Sequence, residues 1–87
     1  MVSPAPGSSL GGSAVTFQWT SVTAATAYWL DVGTVQGQGD ISAGQLASSV
    51  TSKTVSGIPL NGGPIYVRLW TQINGVWKSQ DYGYTAF

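Results

Sequence analysis

Residues 65–77 read Ile65-Tyr66-Val67-Arg68-Leu69-Trp70-Thr71-Gln72-Ile73-Asn74-Gly75-Val76-Trp77. The first nine alternate strictly. Ile65, Val67, Leu69 and Thr71 share one side, and Tyr66, Arg68, Trp70 and Gln72 share the other. Period two over this length is a half-buried β-strand. An unpaired guanidinium inside an apolar core is costly, so Ile65, Val67 and Leu69 belong inside and Tyr66, Arg68, Trp70 and Gln72 outside. Asn74-Gly75 then predicts a two-residue hairpin, because both residue types accept the positive φ that such a turn demands. A last strand follows from Val76 to about Phe87. The turn sets its register: Arg68 faces Asp81, Trp70 faces Ser79 and Gln72 faces Trp77. The same register turns Lys78 and Gln80 inward. A bulge in the last strand would instead send Tyr82 and Tyr84 outward.

Upstream the same period recurs. Ala14–Thr20 (AVTFQWT) sets Val15, Phe17 and Trp19 against Thr16, Gln18 and Thr20. Ala27–Gly33 (AYWLDVG) sets Tyr28, Leu30 and Val32 against Trp29 and Asp31. Val50–Ser56 is a Thr/Val/Ser strand closed by Gly57-Ile58-Pro59. Residues 33–48, rich in Gly and Gln, read as a connection with one short edge strand around Ile41 or Leu46. The Pro-, Gly- and Ser-rich residues 1–12 read as an extended lead-in or an edge strand. No segment carries a helical stripe. The expectation is an all-β chain, one domain over residues 1–87, folded as a small antiparallel β-sandwich of six to seven strands. Its core should hold Val15, Phe17, Trp19, Tyr28, Leu30, Val32, Val55, Ile58, Val67 and Leu69.

Composition narrows the chemistry. The 87 residues include no Cys and no His, so disulfides, thiolate metal sites and His-based triads are all excluded. Charged residues make up only 7% and sum to zero, against a usual share of about 25%. Zero net charge and scattered basic residues offer no pull toward nucleic acid or an anionic membrane. No apolar run approaches the ~20 residues that span a bilayer. Asp31, Asp40 and Asp81 with no Glu are too few for a glycosidase pair. Asp40 stands alone in its Gly-rich loop without calcium-loop spacing. Gly37-Gln38-Gly39-Asp40 lacks the Lys and the helix of a phosphate loop. No catalytic, cofactor or metal residue is expected, and the chain reads as no enzyme. The surface must be built of Ser, Thr, Gly, Gln and Asn. Such uncharged β-domains are typical of exported bacterial proteins, so an extracellular or cell-surface setting is expected. Met1-Val2-Ser3-Pro4 reads as the start of a domain cut from a longer chain rather than a signal peptide.

The run VTFQWT, a gap, then YWLDV resembles strands B and C of a fibronectin type III domain, with Trp19 and Tyr28 at that family's B-strand Trp and C-strand Tyr. SGIPLNGGPIYVRLWTQINGVW resembles its E–F corner, F strand and F–G turn. The likeness spans residues 3 to 86 and implies an immunoglobulin-like topology in which F lies between C and G. Two departures stand out: Pro59 follows Ile58 at once, and Tyr66 arrives two residues late for the corner position. Tyr66 therefore belongs outside the core.

In that topology one register pairs Asp31 with Arg68 and Trp29 with Trp70. The outer face then carries Trp29, Asp31, Tyr66, Arg68, Trp70, Gln72, Trp77 and Asp81, with both acids committed to Arg68. Three uses of this face are expected. It is a structural surface of a spacer or adhesion module that meets neighbouring domains; it is a platform for polysaccharide, since flat indoles match sugar rings; or it joins copies of the chain.

Overall fold

The computed structural model describes residues 2–87 and is all-β, with six strands and no helix. Met1, part of the expected lead-in, lies outside the described residues. The strands are β1 (Val15–Gln18), β2 (Ala25–Gly33), β3 (Ser42–Ala47), β4 (Ser52–Val55), β5 (Pro64–Ile73) and β6 (Val76–Thr85). They form two antiparallel sheets, β1-β4 and β3-β2-β5-β6. The expected edge strand near Leu46 is β3. The expected strands at Ala14–Thr20 and Val50–Ser56 are trimmed to four residues each.

Period-two patterning explains the packing. Phe17 from the small sheet and Trp19 just after it meet Tyr28, Leu30, Val32, Ile65, Val67 and Leu69 from the large one. Val55 and Ile58 close the same core. Every residue expected inside is buried except Val15, which packs half-buried against the cluster. Ring geometry reinforces the layer. Trp19 meets Tyr28 edge-on at 5.8 Å and Phe17 meets Tyr84 edge-on at 5.7 Å, arrangements that satisfy the ring quadrupoles. Tyr28 is fully buried, yet its hydroxyl accepts the Val22 N–H at 2.8 Å.

The lead-in is tied to both sheets. Val2 and Ser3 donate to the Gln18 carbonyl beside β1, and Leu10 donates to Thr85 on β6. This brings Leu10 into the core beside Tyr84 and Ala86; the hairpin register turns Tyr84 inward, whereas no alternation in the central strands could place Leu10. The Tyr84 hydroxyl donates to the Pro4 carbonyl at 2.9 Å.

The Asn74-Gly75 turn has φ of 51° and 76°, the two positive values that this hairpin needs. Register along β5–β6 is continuous from Ile73↔Val76 to Pro64↔Thr85. The expected alternative of a bulge in the last strand is thereby corrected, because Tyr84 is buried and Tyr82 packs against the core. The shift lies in β2, between Ala25 and Ala27. Lys78 and Gln80 do take the inward side, and the small sheet explains how. Its four-residue strands leave one end of the ten-residue β5 and β6 uncovered. There a cavity of about 430 Å³ opens among Trp19, Leu69, Thr71, Ile73, Lys78 and Gln80, so both polar side chains reach solvent.

The domain measures 39 × 20 × 19 Å. Val2 is held by the Gln18 carbonyl, and the Phe87 carbonyl accepts from Gly62.

Candidate contact face

The large sheet buries one side and presents the other. Side chains alternate across a strand, so burying Leu30, Val32, Val67 and Leu69 forces Trp29, Asp31, Arg68 and Trp70 outward. The register pairs Trp29 with Trp70 and Asp31 with Arg68, then Arg68 with Asp81, Trp70 with Ser79 and Gln72 with Trp77. One row across the sheet is Gln45–Trp29–Trp70–Ser79, and the next is Ala43–Asp31–Arg68–Asp81. All eight residues expected on this face lie on it. Trp29, Tyr66, Trp70 and Trp77 are half-buried rather than freely exposed.

Hydrogen bonding divides the two acids. Asp81 takes Arg68 in a two-point grip, Nε to Oδ1 at 2.6 Å and Nη2 to Oδ2 at 3.0 Å. Asp31, expected to share that arginine, does not bond it. Its Oδ1 accepts the Trp29 indole N–H at 2.6 Å and its Oδ2 accepts the Trp70 indole N–H at 3.1 Å. The correction has a physical reason: Asp81 holds the guanidinium edge, while two half-buried indole donors need acceptors. The Arg68 bonds, with Gln36 and the guanidinium charge assisting, hold Asp81 below the ordinary carboxylate range against the opposing effect of burial. Arg68 is pushed above its usual value, chiefly by the Asp81 hydrogen bond and then by the charges of Asp81 and Asp31. The guanidinium carbon also lies 5.7 Å from the Trp70 ring centre, within cation–π range.

The 34–41 connection, read in the sequence only as a Gly- and Gln-rich link, folds back over the charged row. Gln36 donates to Asp81 at 3.0 Å. Asp40 is not alone: it accepts the Thr34 backbone N–H at 2.9 Å and the Thr34 hydroxyl at 2.7 Å, which hold it below the ordinary carboxylate range. Glycines permit the approach. Gly37 has φ of 78°, and a Cβ there would sit 2.9 Å from the Arg68 guanidinium. A Cβ on Gly33 would overlap the Gln38 carbonyl and the Asp40 carboxylate. Gln36 and Gln45 were missed in the sequence. The glycines at 33, 37 and 39 are the signal for such a fold-back, though glycine alone does not name what it lies against.

Beside the charged row, Trp29, Asp31, Gln45, Trp70 and Trp77 line an open groove of about 490 Å³, within the ~300–1,000 Å³ of small-ligand sites. Its lining is mostly aromatic, and the one carboxylate in it is occupied by indole donors. Among the described residues no cluster of three or more His, Cys, Asp or Glu could hold a metal ion. Comparison with protein-family models, with curated proteins and with solved structures found no match.

Proposed function

We propose that this chain is a non-catalytic, fibronectin-type-III-like module of an exported multidomain protein, which spaces its neighbours and makes adhesive contacts through the tryptophan face. One observation carries the reading. The core is complete without Trp29, Trp70 and Trp77, none of which belongs to the buried cluster. Three large rings are thus kept half-exposed around a groove, a use of apolar surface that marks contact sites. The low charge and Ser/Thr/Gly-rich surface suit an extracellular or cell-surface setting, and the strand order and the Trp19–Tyr28 pair support the family reading. The module needs no cofactor, and its partners are neighbouring domains, copies of itself or polysaccharide, rather than nucleic acid or membrane.

The test compares the domain with its Trp29→Ala/Trp70→Ala variant. Each is spun with insoluble polysaccharide, and each is sedimented alone over a range of concentrations. The reading expects at least one association in the parent, lost in the variant, with no release of soluble sugar. Association that survives unchanged in the variant contradicts it.

A further inference from the structure

Resting on the reading of this face as a contact surface, we infer that the occupant of the tryptophan groove is a neutral saccharide chain. Electrostatics argue first. Both Asp31 oxygens already accept indole N–H groups, and Arg68 and Asp81 neutralise each other in a 2.6 Å ion pair. Asp31 keeps its negative charge, so an anionic partner is repelled, while a cationic one finds both carboxylate oxygens already engaged by the indoles and the Arg68 guanidinium in the same row of the sheet. What the groove does offer is ring faces, the exposed Gln45 amide at its rim and the Trp77 indole N–H, which has no partner among the described residues. Apolar ring faces beside neutral donors and acceptors complement a pyranose, whose axial C–H faces are apolar and whose edge carries hydroxyls.

Shape argues next. The lining residues come from all four strands of the large sheet, β3, β2, β5 and β6. At ~4.8 Å between strands the groove crosses ~14 Å of sheet, more than one sugar ring needs. Asp31 fixes two of the three indoles before any ligand arrives, so little side-chain freedom is lost on binding. A second copy fits poorly. Two such grooves face to face enclose a void, and the exposed aliphatic side chains Val22, Val35, Leu60 and Val76 are not among the residues that line it.

The test is an ¹⁵N-edited titration of the domain with soluble cello-, xylo- and chito-oligosaccharides, following the indole N–H signals. At least one series should shift Trp29, Trp70 and Trp77 and leave Trp19 unmoved, with an affinity unchanged between low and high salt. Trp77→Ala should weaken that affinity at least tenfold while melting at the parent temperature, because Trp77 lies outside the core and bonds neither acid. Polygalacturonate serves as the anionic comparison, and preferential binding to it that salt abolishes would overturn the inference. No response to any of the three neutral series would also overturn it. If self-association or capture of a neighbouring domain is nevertheless lost in Trp29→Ala/Trp70→Ala, the contact-surface reading stands without the sugar; if that variant changes nothing, both fail.

Discussion

Asp31 and Trp70, 39 residues apart in the chain, are joined by a 3.1 Å hydrogen bond from the indole Nε1 to the carboxylate Oδ2. The other oxygen holds Trp29 at 2.6 Å. One acid therefore fixes the two indoles that face each other across β2 and β5. Asp31→Ala leaves both half-buried donors without an acceptor, an omission that costs about 1–3 kcal/mol. Urea unfolding should show that loss, and Asp31→Asn, which keeps one acceptor oxygen, should show a smaller one. An Asp31→Ala midpoint equal to the parent's would mean that water serves the indoles as well.

The four tryptophans should divide into two energetic classes. Trp19 is 4% exposed and central to the core, so Trp19→Ala should cost about 3–5 kcal/mol. Trp29→Ala/Trp70→Ala removes two rings but opens no core cavity, and should cost about 1–2 kcal/mol. Thermal melts compare them directly. A double variant that fails to fold, beside a Trp19→Ala that melts normally, would reverse the two faces of the sheet.

Stability should fall at both ends of the pH scale. Burial, with the neighbouring Tyr82 adding, pushes the Tyr84 hydroxyl from 10.0 up to about 12. Folding thus favours its neutral form. The contribution, on the order of 2–3 kcal/mol, is intact below pH 10 and is lost as pH rises toward 12. Asp40 and Asp81 are held below 3.8, so their contribution is intact above that value and is lost as pH falls through their folded values. Denaturant midpoints from pH 2 to 12 should trace this plateau, and Tyr84→Phe should flatten its alkaline edge. A parent midpoint constant from pH 9 to 12 would contradict the placement of Tyr84.

Gly37 and Gly44 should respond oppositely to alanine. Gly37→Ala meets positive φ and the Arg68 guanidinium, a left-handed conformation that costs about 1–2 kcal/mol for other residues. At Gly44 a Cβ would meet nothing within 4 Å, and alanine there should be neutral or stabilising by up to about 1 kcal/mol. Paired melts check the contrast. Equal melting temperatures for the two variants would show that the 34–41 connection does not rest on the face.

Much of this was legible because period two and a two-residue turn are strong local signals. Alternation placed Val67 and Leu69 inside and Arg68 and Trp70 outside, and Asn74-Gly75 fixed which residue of β6 met each residue of β5. Other features depend on distant parts of the chain. Leu10 enters the core because the lead-in lies along β6, which no short window reveals. Asp31 and Asp81 look alike beside Arg68 in sequence. Only the positions of the indole nitrogens show that one acid serves the arginine and the other the tryptophans.

A contact surface must be reachable, and the most direct measurement is paramagnetic broadening of the tryptophan ring protons by a small neutral spin probe in solution. Trp29, Trp70 and Trp77 line an open groove, whereas Trp19 is 96% shielded by the core. Strong broadening of the first three rings and almost none of Trp19 is expected. Broadening of Trp19 with Trp29 and Trp70 protected would contradict it, because the tryptophan face would then be the core.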